Sequence, residues 1–97
     1  MSVVDVQKIS EGKKESLFSV TVIDLKGSSE HLVAMNNDFY ESYGISREIK
    51  SEAIIEESYK FLLEREPKEA IMNQFNLSLI EKYFPQYRDE IKKRLSI

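Results

Sequence analysis

Apolar and polar residues alternate with a period of two in the first third of this chain, then recur at helical spacing to its end. Val4 and Val6 oppose Asp5 and Gln7 across a stretch from Val3 to Ile9, which predicts a short strand. Ser10-Glu11-Gly12-Lys13-Lys14 is a polar turn. The segment 16–24 follows, with Phe18, Val20 and Val22 set against Ser19 and Thr21, so one face is expected in a core and the other in water. A second turn, Leu25-Lys26-Gly27-Ser28-Ser29, leads to Glu30–Met35, where His31, Val33 and Met35 share a face. Together these stretches predict an antiparallel meander of two or three strands over residues 1–36.

From residue 37 onward the pattern turns helical. Asn36-Asn37 offers a cap for a short helix over Asp38–Tyr43 that Gly44 stops. The central helix is Ser51–Arg65, with Ser51 as cap and Glu52 in the first turn. On a wheel centred on Ser58, Ile54, Ile55, Phe61 and Leu62 lie within about 60°. A small residue in the middle of an apolar stripe implies close approach by a neighbour, and its hydroxyl can bond back to the carbonyl four residues earlier. Pro67 then suits the first position of a new helix over 67–75, with Ile71, Met72 and Phe75 on its apolar side. Asn76 can cap a further piece, Leu77–Phe84. Pro85 closes that piece and opens a last helix whose stripe is Tyr87, Ile91 and Leu95.

With 97 residues the chain makes one domain, 1–97, because halves of it would be too small to bury a core. It has no cysteine, which removes disulfides, thiolate metal sites and cysteine nucleophiles. The start, Met1 to Asp5, lacks the basic and apolar regions of a signal peptide, and no apolar run approaches the roughly 20 residues that cross a bilayer. A cytoplasmic protein that does not engage the membrane is therefore expected. Net charge is −3, distributed unevenly: residues 1–45 carry four lysines against seven acidic residues, while residues 46–97 carry ten of each sign. Only the end, with Arg88, Lys92, Lys93 and Arg94, has a local positive excess.

The string Leu62-Leu63-Glu64-Arg65-Glu66-Pro67, followed by Phe75-Asn76-Leu77 and Tyr83-Phe84-Pro85-Gln86-Tyr87, resembles a family of small bacterial proteins of unknown function. The likeness covers roughly residues 16–95. It implies an N-terminal hairpin and a single domain, and brings no activity, ligand or catalytic residue.

Chemistry-bearing residues are sparse. His31 is the single histidine, expected on a half-exposed strand face, and would need further partners to act as a base or a metal ligand. The clustered glutamates lack the Glu-x-x-His pattern of carboxylate metal bundles, and three glycines, each in a turn or a helix stop, build no phosphate loop. No cofactor and no metal are expected. Residues 71–84 half satisfy a helix-turn-helix, but Glu81 and Pro85 spoil the reading end. Arg65 lies beside Pro67 near the apolar stripe, as either a snorkelling side chain paired with Glu69 or another carboxylate, or a ligand contact. Arg65, Glu69 and His31 are the candidate polar site.

The pattern predicts an α+β fold, a short N-terminal antiparallel meander packed against four to five C-terminal helices over 37–97. Function is expected to be non-catalytic: a protein-interaction or self-association module, its surface formed by Tyr83, Phe84, Tyr87, Arg88, Lys92 and Arg94. Tyrosine and arginine are favoured at such surfaces. The alternative is nucleic-acid binding through the degenerate helix-turn-helix and the basic final helix, although the acidic balance disfavours it.

Overall fold

A computed structural model describes residues 2–96. Its sheet has three long strands, β1 (Val3–Glu11), β2 (Glu15–Asp24) and β3 (Gly27–Asn36), paired as an antiparallel meander. Phe18, Val20, Val22, Val33 and Met35 are buried on one face, as their alternation requires. The turn between β2 and β3 is tighter than predicted. Asp24 accepts the Lys26 amide at 2.8 Å, which closes a loop of Leu25 and Lys26 and lets β3 begin at Gly27.

Four α-helices cover that face among the described residues: α1 (Phe39–Tyr43), α2 (Ser51–Leu63), α3 (Ile80–Tyr83) and α4 (Tyr87–Leu95). Gly44 ends α1 in the left-handed conformation at φ +67°, as a helix-stopping glycine should. The caps differ from expectation. Asn37 does not cap α1; its amide donates to the Gly12 and Lys13 carbonyls and clamps the first hairpin turn. Ser51 falls inside α2, whose cap position is Lys50, and its hydroxyl donates to Glu52.

The largest departure follows Pro67. Instead of a helix over 67–75, a single 3-10 turn (Lys68–Ala70) gives way to extended chain and a fourth strand, β4 (Gln74–Asn76). β4 pairs parallel to β3, placing Leu32, Val33 and Ala34 beside Gln74, Phe75 and Asn76. The sheet is therefore mixed, ordered β1-β2-β3-β4, and its strands are not confined to the N-terminus. An isolated helix of that length is marginal in water, whereas the outer edge of β3 offers a ladder of unpaired peptide groups. Asn76 then caps as predicted, its side-chain oxygen accepting the Ser78 amide at 3.0 Å. The piece it caps is a 3-10 turn (Leu77–Leu79) running into α3.

The core is held by an aromatic file. Phe39 stacks on Tyr43 at 4.0 Å, and edge contacts continue through Tyr87 and Phe61 to Phe84. Ser58 allows the close approach its position implied. Its hydroxyl donates to the Ile54 carbonyl at 2.7 Å and accepts from the Tyr87 hydroxyl at 2.7 Å, which joins α2 to α4 in the dry interior. Tyr59, equally buried, has no partner for its hydroxyl among the described residues. The two tyrosines should therefore respond oppositely to loss of their oxygen. Tyr87→Phe is expected to cost about 1 kcal/mol, the net worth of a buried hydrogen bond, and Tyr59→Phe to be neutral or stabilising. Urea unfolding midpoints at unchanged slope check both.

Candidate functional site

The described residues carry two concavities of consequence. One is an apolar groove of 290 Å³ that exists because residues 71–76 run extended. Leu62 of α2 and Glu66 just beyond that helix line it, together with Ala70, Ile71, Met72 and Phe75. Leu79, Ile80, Tyr83 and Phe84 close it from the α3 side. Its lips are exposed apolar side chains: Met72 is 45% and Tyr83 67% accessible. Glu66 is the one charged residue in the lining, and it forms no ion pair among the described residues.

The other concavity is polar, 390 Å³, between the first hairpin turn and the start of α2. Lys8 and Arg47 line it, but both are already engaged: Lys8 with Glu11 at 2.8 Å, Arg47 with Glu41 and over the Tyr40 ring at 4.8 Å. The Glu52 carboxylate accepts from Ser51 at the start of α2. An incoming anion would have to displace carboxylates, so this site is poorly suited to bind one.

The predicted surface residues separate into distinct roles. Tyr83 is exposed and Phe84 half-buried, and both line the groove. Tyr87, expected at the same surface, is wholly buried, because the Ser58 gap and the Phe61 and Tyr43 rings receive it. Arg88 binds Glu81 at 2.7 Å, donates to the Ser42 carbonyl and lies 4.1 Å over the Tyr43 ring. Burial and the neighbouring Glu81 push the Tyr43 hydroxyl up to about 12. Arg94 makes two bonds to Glu64, at 2.6 and 2.8 Å, with Glu90 and Glu57 nearby, and so staples α4 to α2. Lys92 is exposed. Of the four basic residues at the end of the chain, the two arginines are spent on internal ion pairs, and Lys92 and Lys93 stay exposed.

The candidate polar site is not assembled. Arg65 covers the Phe61 ring at 3.7 Å and donates to the Phe61 carbonyl at 2.9 Å, and of the carboxylates expected to pair with it, it takes Glu64 and leaves Glu69. It is a cap and a lid on the core. Glu69 instead joins Lys68, which is 3% exposed and also bonds Asp24 at 2.8 Å. His31, expected on a half-exposed face, is buried at 4% against the edge of Tyr59, 5.4 Å between centroids. Its Nδ1–H donates to the Met72 carbonyl and its Nε2 accepts from Ser29, each at 2.8 Å. Neither Ser29 nor His31 lines either of the two concavities. Their work is to bolt residues 72–73 to β3, beside the Leu32 amide that donates to the Asn73 carbonyl at 2.7 Å.

The helix-turn-helix is not formed, since 74–76 is strand where its first helix would lie. No group of three or more metal-ligating residues occurs among the described residues, and no described helix is long and apolar enough to cross a membrane. Comparison with protein-family models, curated proteins and solved structures finds no match to this chain.

Sequence reasoning missed Met72, Leu79 and Glu66 as site residues because it placed Met72 on the inner side of a helix that does not form. It also missed Lys68, which gave no local sign of a buried role. The Lys68 contacts make a pH prediction. Hydrogen bonds from Lys68 and then from the Lys26 amide hold Asp24 below the usual carboxylate range, and Lys68 likewise lowers Glu69. A carboxylate depressed in the folded state contributes stability above about pH 4 and loses it as the pH falls through the depressed value. Lys68 is raised by the same bonds, so its share persists below its ordinary range and fades only at higher alkalinity. Asp24→Asn should lower stability at neutral pH and flatten the loss between about pH 4 and pH 2, read from urea midpoints. His31→Ala should cost roughly 2–3 kcal/mol and speed amide exchange at Phe75 and Asn76, because it removes the bond to the Met72 carbonyl, leaves Ser29 without its partner and leaves a cavity.

Proposed function

We propose that this protein is a small non-catalytic protein-interaction module, and that the apolar groove is its docking surface. The observation that carries the proposal is the pairing of an open apolar groove with exposed Met72 and Tyr83 at its lips. Exposed apolar clusters on a small domain mark contact sites, and tyrosine and methionine are favoured in the centre of such contacts. The groove volume sits at the bottom of the ~300–1,000 Å³ that small-molecule pockets occupy. It suits one or two apolar side chains of a protein better than a free metabolite. A cytoplasmic setting belongs to the same proposal.

The reading places the contact at Tyr83 and Phe84, two of the residues that sequence pattern nominated, and moves it away from Tyr87 and the basic last helix. Tyr83→Asp, alone and with Met72→Asp, is the test. Both side chains are exposed, so thermal stability should change by no more than about 0.5 kcal/mol. Partner capture from the native cell, or self-association followed by sedimentation, should drop roughly tenfold or more. Association that survives both substitutions would overturn the proposal.

A further inference from the structure

The groove has a chemical signature, and one exposed element of the same chain answers it. Leu25, at the tip of the β2–β3 turn, is 101% accessible, the most exposed large apolar side chain in the described structure. Turn chemistry gives such a position no reason to be leucine; glycine, asparagine, aspartate and serine are the usual choices. Lys26 follows it, and makes no ion pair among the described residues. An apolar knob with an adjacent unpaired cation therefore stands on the surface. The groove is its complement, an apolar slot whose sole charged lining residue is the unpaired carboxylate of Glu66.

We propose that the groove of one copy receives the Leu25-Lys26 turn of a second copy, with Leu25 seated between the Met72 and Tyr83 lips and Lys26 against Glu66. This inference rests on the groove being a docking surface and names its occupant. Within one molecule the fit is unused, since Leu25 is fully exposed. The Lys68–Asp24 ion pair fixes the base of the turn against the 3-10 turn that leads into the groove wall, so knob and slot lie at the same end of the molecule. A two-fold axis at that end lets the copies exchange knobs reciprocally, and the contact closes as a dimer instead of running on as a filament. Val3 and Ile23, paired in register and exposed at 59% and 46%, continue the apolar surface next to the knob. The contact is small and of the weak, reversible class.

Sedimentation equilibrium of the full chain, across roughly 10 µM to 1 mM, reads the result. The wild type is expected to show a monomer–dimer equilibrium. Leu25→Asp should weaken it roughly tenfold or more, the worth of one buried leucine. Lys26→Glu and Glu66→Lys should each weaken it, and the two together in one chain should recover most of the loss. Circular dichroism on each variant separates lost association from lost fold. A wild type that stays monomeric overturns the dimer, while the docking surface is judged separately by the Tyr83 and Met72 substitutions. A dimer that ignores Leu25→Asp but dissolves with Tyr83→Asp overturns the turn as occupant and keeps the groove. Indifference to both substitutions overturns both, and failure of the charge exchange to recover affinity overturns the Lys26–Glu66 contact.

Discussion

The outer edge of β3 presents unpaired peptide groups beside an apolar face, and closing that edge governs the path of everything after Pro67. Residues 72–76 close it. Leu32 bonds the Asn73 carbonyl, His31 bonds the Met72 carbonyl, and β4 pairs with Leu32–Ala34. Because this segment is extended and tethered to the sheet, it opens a slot against the end of α2 where a helix would have filled the space. The groove is thus a by-product of satisfying backbone hydrogen bonds, and Phe75 enters it from a strand instead of a helix face.

The second constraint is aromatic. Without tryptophan, the core is built from a connected file of tyrosine and phenylalanine rings, with arginines laid over the outer members: Arg88 on Tyr43, Arg65 on Phe61, Arg47 on Tyr40. Each guanidinium also bonds a carboxylate or a carbonyl. Of the cations that composition offered as a basic surface, Arg88 is consumed in sealing the core and Arg94 in stapling α4 to α2, while Lys92 and Lys93 stay exposed. Arginine suits this role because its flat, weakly hydrated face can stack while its edge donates.

These two constraints engage much of the polar chemistry that the sequence offered. His31 is engaged as a bolt, and Arg47, Arg65 and Arg88 as lids. Among the large apolar side chains the fold leaves exposed are the groove lips at Met72 and Tyr83, and the Leu25 tip across the Lys68–Asp24 ion pair. The proposed docking of a protein surface, with a second copy of the chain as occupant, rests on this knob and slot of matching chemistry.

Local pattern alone sufficed for the meander, for the face that Phe18, Val20, Val22, Val33 and Met35 bury, for α2 with Ser58 at the centre of its stripe, for the Gly44 stop and for the Asn76 cap. Each depends on neighbours within a few residues, where periodicity and backbone preference act. Tertiary structure decided β4, the burial of His31 and Tyr87, the Lys68–Asp24 pair and therefore the groove. Every one of these joins residues far apart in the chain: 41 positions from His31 to Met72, 29 from Ser58 to Tyr87, 44 from Asp24 to Lys68. A short apolar segment such as 71–75 is balanced between helix and strand. Its outcome was set by an unpaired sheet edge that no local window contains.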